Sequence, residues 1–240
     1  MAVFRLDRFI ATQAGISRSE ASSAVKAGRV RVNNKTEKNV SAKIDAENDR
    51  VFFDGNPVEY SEFVYIMLNK PAGVLSASRD PKMKTVVDLV PDSLRRKNLF
   101  PAGRLDRDSV GLIILTDDGQ FCHRLLSPKK HVYKTYFVRL DGAVPDSAER
   151  IFGDGAVLED GTKCLPARLF DIDNDKYCAR VQICEGKFHQ VKRMFNSVGL
   201  NVIYLKREGI GPLSLDEGLA EGQCRALKRE EVYLMLGENP

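Results

Sequence analysis

The chain has 240 residues, of which 43% are hydrophobic and 29% are charged, and its formal net charge is +4. These values are ordinary for a globular protein, and the length suffices for one large domain or two smaller ones. No apolar run approaches the roughly 20 residues that a membrane-spanning helix needs, and the first residues lack the apolar core of an export signal. We therefore expect a cytoplasmic protein without a membrane partner.

The cysteines and histidines form neither a metal-binding nor a disulfide pattern. Five Cys and three His are scattered along the chain, with no C-x-x-C pair and no H-x-x-x-H spacing. An odd number of dispersed cysteines supports neither a disulfide framework nor a structural zinc site. We expect reduced, mostly buried cysteines and no metal site.

The first quarter of the chain is basic and predicts two short helices followed by a strand. Residues 1–58 carry ten basic and seven acidic side chains, which is most of the positive excess of the chain. Leu6, Phe9 and Ile10 form one apolar helical stripe. The segment Ser17-Arg18-Ser19-Glu20 is a capping box that starts a second helix, ending near residue 26. Residues 29–33 alternate as a strand does.

Four basic side chains of this region are candidates for RNA contact. Arg18 and Lys26 share a solvated helix face, and Arg29 and Arg31 lie on the strand. Such a set makes a groove for phosphates; the alternative is a basic surface without a ligand. Two short helices followed by a basic strand resemble the S4 RNA-binding module, and this resemblance favours the groove.

A short polar segment at residues 56–62 is the first plausible linker, so we place a domain boundary near Tyr60. The pattern beyond it alternates between strands and helices. Strands are predicted at 63–70, 74–78, 110–115, 136–140, within 156–185 and at 202–207. Helices are predicted after Gly119, at 147–152, from 185 to Gly199 and at 230–236, and a helix or helical turn is predicted within 85–97.

A charged segment runs straight into the apolar strand predicted at residues 110–115. Asp106 lies at the mouth of this strand, between Arg104 and Arg107. Burial pushes a carboxylate towards neutrality while guanidinium groups keep it ionised, which is the setting of a reactive carboxylate. The alternative is a structural Asp–Arg pair at a strand entrance.

Four motifs in order resemble those of one enzyme family. Gly103-Arg104-Leu105-Asp106, followed by residues 111–119, resembles the signature of the RNA pseudouridine synthases. Lys134-Thr135-Tyr136 and residues 185–194 match the family's other two motifs, and Lys70-Pro71-Ala72-Gly73 matches its opening strand and turn. With the S4-like start, nearly the whole chain resembles the RsuA branch, which acts on small-subunit ribosomal RNA.

The resemblance implies roles for individual residues. Asp106 attacks the ribose as a nucleophile or removes a sugar proton, and either role needs an ionised carboxylate. Tyr136 stacks on the flipped base and can accept the C5 proton, and Lys192 is the counter-charge of Asp106. The alternatives are a core aromatic at Tyr136 and a solvated helix lysine at Lys192. The expected RNA contacts in this part of the chain are Arg104, Arg107, Lys134, His189 and Arg193.

We therefore predict an α+β protein, with an S4-like RNA-binding domain at 1–59 and a catalytic domain at 60–240 that the resemblance implies is a large, mostly antiparallel sheet. The predicted activity is isomerisation of one uridine in small-subunit (16S) ribosomal RNA to pseudouridine, by a monomer without cofactor or metal. The substrate is the RNA itself or an assembling particle. The alternatives are the same chemistry on large-subunit RNA and a non-catalytic RNA-binding protein of ribosome assembly.

Overall fold

The computed structural model describes residues 2–127 and 130–237. They form two compact units: the chain up to Val64 together with Val90–Leu99, and Tyr65–Leu89 together with the chain from Phe100 onward. Within the described ranges, none of the helices combines the length and the apolar character needed to cross a membrane.

The first unit packs two helices against short strands. Its elements are β1 Val3–Arg5, α1 Leu6–Gln13, α2 Arg18–Lys26, β2 Val30–Val32, β3 Lys35–Thr36, β4 Lys43–Asp45, β5 Val51–Phe53 and β6 Asn56–Val58. Strands β3, β2, β5 and β6 form one antiparallel sheet, and β1 pairs with β4. Leu6, Phe9 and Ile10 are buried together, and the capping box of Ser17 and Glu20 forms, as predicted.

The second unit is built on a large mixed sheet. Its elements are β7 Tyr65–Lys70, β8 Phe100–Pro101, β9 Val110–Thr116, α3 Gly119–Leu126, β10 Lys134–Leu140, α4 Ala148–Gly153, β11 Arg168–Asp173, β12 Cys178–Ile183, α5 Gln190–Asn196, β13 Val202–Ile210, β14 Leu213–Ser214, β15 Cys224–Ala226 and α6 Arg229–Leu236. The strand order is β11-β12-β10-β13-β9-β7-β15, with β8 beside β9 and β14 beside β13. Strands β9 and β13 run parallel, whereas the other pairings are antiparallel. The predicted α+β class and mostly antiparallel sheet are confirmed.

Strand β9 is the centre of this sheet. All seven of its residues are buried, as expected of a β-branched apolar strand that is covered on both faces. On one face, Phe121 and Leu125 of α3 and Met235 of α6 pack against Leu112 and other core residues. Burial of β9 fixes the position of the loop that precedes it, which carries the candidate reaction centre.

Two local predictions were wrong. Residues 185–189 are a loop, and α5 begins only at Gln190, because His189 has a left-handed backbone (φ 47°, ψ 33°) that a helix does not accommodate. Residues 74–78 were predicted as a strand, but in the described structure their only β pairing is an isolated bridge between Leu75 and Thr85. Of the helix or helical turn predicted within 85–97, the structure has a 3₁₀ turn at Val87–Leu89. A loop of the first unit follows it, and Arg96 in that loop donates a hydrogen bond to Gln13 Oε1 at 2.7 Å.

Candidate active site

The loop before β9 holds Asp106 through backbone contacts. The hydroxyl of Ser76 accepts a hydrogen bond from Leu105 N at 3.0 Å and donates one to Leu105 O at 2.8 Å. Ser109 N donates to Asp106 O at 3.1 Å and closes a turn. Leu105 is itself buried. The backbone on both sides of Asp106 is therefore fixed, so its carboxylate has a defined starting position.

Lys70, the last residue of β7, supports the same loop from below. Its side chain is fully buried, and its ammonium donates hydrogen bonds to Ser109 O at 2.8 Å and to Arg107 O at 3.2 Å. Burial lowers the pKa of Lys70 to about 8, although the carboxylates of Asp108 and Asp106 oppose that shift. Lys70 is thus a buried cation that satisfies loop carbonyls.

The lowered pKa of Lys70 predicts that stability rises with pH. Between pH 8 and about 10.5 the folded protein loses a proton that the unfolded chain keeps, so the free energy of unfolding increases with pH, by ~2 kcal/mol up to pH 9.5. Urea unfolding at several pH values should show this rise in the wild type and not in Lys70→Met. The thiols of Cys122, Cys164 and Cys224, whose pKa values are raised by desolvation, act in the opposite direction in both proteins. An equal pH dependence of the two proteins would contradict the assignment.

Two basic side chains approach the Asp106 carboxylate. His189 Nε2 lies 3.5 Å from Asp106 Oδ1, and Lys192 Nζ lies 3.7 Å from Asp106 Oδ2. Lys192 is closer to Asp108, with 2.7 Å to each of its oxygens. The hydrogen bond from Lys192 holds the pKa of Asp108 below its ordinary value. Lys192 is therefore shared between two carboxylates, whereas the sequence predicted only Asp106 as its partner.

Asp106 opens into a cavity of about 490 Å³, within the size range of small-ligand sites. Tyr136 of β10 lines it and is mostly buried. The apolar part of the wall is formed by Leu126, Ile183, Val191 and Leu205, and the basic part by Arg104, Lys134, His189 and Arg207. An apolar wall beside a carboxylate and several cations suits a flat, polar ring attached to a charged backbone.

The loop before α5 forms another wall of the cavity. Glu185 accepts hydrogen bonds from Leu165 N at 2.9 Å and Gln190 Nε2 at 2.7 Å, and pairs with Lys187. Desolvation acts to raise the pKa of Glu185, but these hydrogen bonds outweigh it and hold the pKa below its ordinary value. At the end of this loop the Phe188 ring is 70% exposed and stacks on His189, with 3.8 Å between the ring centroids.

The cavity brings together most of the residues that the sequence singled out in this unit. Asp106, Tyr136, Arg104, Lys134 and His189 line it.

Three other predicted site residues lie elsewhere. Arg107 is exposed and does not line the cavity. Lys192 lies 3.7 Å from Asp106 but is not among the residues that line the cavity. Arg193 forms an ion pair with Asp160 at 2.6 Å. Arg193 is thus already engaged with a carboxylate, which weakens the expectation that it contacts RNA.

The four basic candidates of the first unit divide into two pairs. Arg18 forms an ion pair with the buried Asp7 at 3.0 Å, and Arg29 forms two hydrogen bonds with Asp54.

Lys26 and Arg31 are exposed, and neither has an ion-pair partner among the residues that the structure describes. The guanidinium of Arg31 lies 5.3 Å from the centroid of the Phe52 ring. Lys26 and Arg31 are therefore the candidates whose charge remains available to a ligand.

Sequence reasoning missed four residues of this site. Ser76, Phe188 and Arg207 gave no separate signal, because nothing local distinguishes a loop serine, an aromatic next to His189 or an arginine on an amphipathic strand. Lys70 was part of a matched motif, but only its burial under the loop reveals what it contacts.

Comparison with known proteins decides the family. Residues 64–197 match the model of the RNA pseudouridylate synthases, and residues 4–51 match that of the S4 domain. The chain belongs to the RNA pseudouridine synthases. This synthase is 45% identical over 233 residues to an uncharacterised RNA pseudouridine synthase of Bacillus subtilis (strain 168). The aligned residues cover 96% of this chain and 98% of that protein.

Two further relatives support the assignment. The ribosomal small subunit pseudouridine synthase A of Escherichia coli (strain K12) is 40% identical over 229 residues, covering 95% of this synthase and 98% of the relative. A crystal structure of a pseudouridylate synthase superimposes on this chain with a TM-score of 0.67 at 38% sequence identity. The superposition covers 97% of this chain and 99% of the chain in that crystal structure. The predicted family, the S4 domain and the enzyme class, an isomerase of RNA, are confirmed.

Proposed function

We propose that this synthase converts a uridine of small-subunit ribosomal RNA to pseudouridine, the substrate class named for its Escherichia coli relative. The observation that carries the chemistry is the cavity that Asp106 and Tyr136 both line. In this proposal the region 1–59 docks RNA, and the region 60–240 performs the reaction.

The proposed reaction uses Asp106 on the ribose and Tyr136 on the base. Asp106 attacks C1′ or removes the C2′ proton, and both routes require an ionised carboxylate. The basic side chains of His189 and Lys192 lie 3.5 and 3.7 Å from the oxygens of this carboxylate. Tyr136 replaces the stacking that the uracil loses when it leaves the RNA helix and accepts the proton from C5. The exposed side chains of Arg104 and Arg107 hold phosphates beside the flipped nucleotide.

The substrate is tested by mapping pseudouridine in ribosomal RNA. Purified synthase is incubated separately with unmodified small-subunit RNA, unmodified large-subunit RNA and assembling small-subunit particles, and modified positions are mapped. We expect one uridine of the small-subunit RNA to be converted and to be unmodified in cells that lack the synthase. Conversion confined to large-subunit RNA would overturn the proposed substrate and support the alternative.

The basic surface of the first unit gives a separate prediction. Lys26→Gln and Arg31→Gln together should weaken RNA binding about tenfold or more at low salt and reduce the slope of log K against log salt by about two, because each phosphate contact releases counterions. Arg29→Gln serves as the matched control, because Asp54 already neutralises Arg29. An unchanged salt slope in the double variant would show that this surface does not touch phosphate.

A further inference from the structure

Two buried cationic side chains line the cavity from neighbouring strands. Lys134 begins β10 and Arg207 lies on β13, and they are 7% and 4% exposed. The two strands are hydrogen-bonded, and Tyr136 is the register partner of Arg207. The tyrosine that is proposed to stack on the base therefore lies between strand positions that carry a buried positive charge.

Neither charge is neutralised within the described part of the chain. Arg207 Nε donates to Leu112 O at 2.7 Å, but its buried Nη2 has no hydrogen-bond acceptor there. No described carboxylate forms an ion pair with Lys134 or Arg207.

The electrostatic cost of this arrangement is visible in the neighbouring lysines. Burial lowers the pKa of Lys134, and the charge of Arg207 lowers it further. Arg207 also acts to lower the pKa of Lys70. Buried like charges are costly unless a negative ligand offsets them.

We propose that Lys134 and Arg207 bind the carbonyl oxygens of the flipped uracil and stabilise the negative charge that the base carries after it separates from the ribose. This inference rests on the proposed function and deepens it, because it assigns the base-binding part of the same cavity.

Depth favours the base over a phosphate as the ligand of these two cations. The RNA backbone is charged and remains in solvent at the edge of the cavity, where the exposed Arg104 is available to it. The base is the part of the nucleotide that enters farthest. Side chains that are more than nine-tenths buried, such as Lys134 and Arg207, are therefore placed for the base.

The reaction develops negative charge at the expected place. When the N1–C1′ bond breaks, its electron pair stays on uracil and is shared by N1, O2 and O4. C1′ of the ribose then either forms a bond to an Asp106 oxygen or forms a double bond to C2′ while Asp106 takes the C2′ proton. After the ring turns, C5 bonds to C1′ and the sugar–Asp106 bond breaks, or C2′ regains its proton. C5 then loses its proton and N1 gains one, so no atom or electron is lost.

Cations held in a water-excluded site stabilise such charge strongly, because they need no reorganisation during the reaction. Removal of one preorganised donor typically costs 10²- to 10³-fold in rate. We therefore expect Arg207→Gln to slow the single-turnover reaction of bound RNA by about 10²-fold. The affinity for RNA should change less than about threefold, since the phosphates are bound elsewhere.

The experiment compares Arg207→Gln and Lys134→Gln with Lys206→Gln, which makes the same charge change at the neighbouring position of β13. Each protein is tested with RNA that carries uridine, 5-fluorouridine or an abasic site at the target position. Fluorine stabilises the departing uracil anion, so the reaction of 5-fluorouridine depends less on Arg207. The factor by which Arg207→Gln slows the reaction, relative to the wild type, should therefore be at least about fivefold smaller with 5-fluorouridine than with uridine. Affinity for the abasic RNA should equal that of the wild type, and Lys206→Gln should behave as the wild type throughout.

Each other outcome has a defined meaning. Wild-type rates in Arg207→Gln and Lys134→Gln would overturn the inference. Weaker binding of both normal and abasic RNA, with a salt slope reduced by about one, would also overturn it and identify a phosphate contact. If thermal unfolding shows that Arg207→Gln does not fold, Lys134→Gln carries the same expectations. Failure of the wild type to modify small-subunit RNA would instead refute the proposed function.

Discussion

Replacing Asp106 with asparagine is expected to reduce pseudouridine formation by at least ~10³-fold while RNA binding stays within about threefold of the wild type. Asparagine keeps the size of the side chain but can neither attack the ribose as a carboxylate nor accept its proton. The loop should keep its place, because Ser76 and Lys70 hold the backbone and not the Asp106 side chain. The measurement is single-turnover conversion of target RNA at saturating protein, with affinity determined in parallel.

Asp108→Asn is the matched control for this substitution. Asp108 is two residues away and binds the same Lys192 at 2.7 Å, so the control removes an equal charge from the same loop. Without the Asp108 carboxylate, Lys192 has Asp106 as its remaining partner within the described residues, at 3.7 Å. We expect activity within about tenfold of the wild type. Equal losses in the two variants would mean that the loop needs its total charge, and not one reactive carboxylate at Asp106.

The sequence predicted well those features that depend on neighbours along the chain. The apolar stripe of α1, the capping box of Ser17 and the buried strand β9 are fixed by local periodicity and local hydrogen bonds. The helix before Gly199 begins later than predicted, because the left-handed backbone of His189 interrupts the periodic pattern. A left-handed backbone is uncommon for a residue other than glycine, and the apolar periodicity that predicted the helix carries no information about it.

Partners that are distant in sequence could not be predicted. Arg207 meets Leu112 across 95 positions, and Lys192 meets Asp108 across 84. A basic residue in a sequence shows its charge but not whether a carboxylate already neutralises it. That is why Arg18 and Arg193 were predicted as RNA contacts although they bind Asp7 and Asp160. The order of the motifs predicted most of the residues that line the cavity. Only the fold shows which of its cationic side chains have no carboxylate partner among the described residues.

Replacing Gly111 with alanine is expected to destabilise the second unit by roughly 2–6 kcal/mol and to abolish activity, since backbone strain and overpacking each cost about 1–3 kcal/mol. Gly111 has a φ of +100°, and a Cβ atom there would lie 2.3 Å from Arg207 O and 2.9 Å from Arg207 N. The clash is with backbone, so no side-chain rotation relieves it. It would push β9 away from its parallel partner β13 at the position where Arg207 pairs with Gly111.

Two other glycines of the second unit distinguish the effect of backbone strain from that of the steric clash. Gly73 has a φ of +85°, and a Cβ atom added there would have no neighbour within 4 Å, so Gly73→Ala should show backbone strain alone, about 1–2 kcal/mol. Gly119 has neither a positive φ nor a close neighbour and is the first residue of α3, so Gly119→Ala should be neutral or stabilising by up to ~1 kcal/mol. Urea unfolding ranks the three variants. If Gly111→Ala is no less stable than Gly73→Ala, the two strands can separate without cost, and the close β9–β13 contact does not hold Arg207 in the cavity.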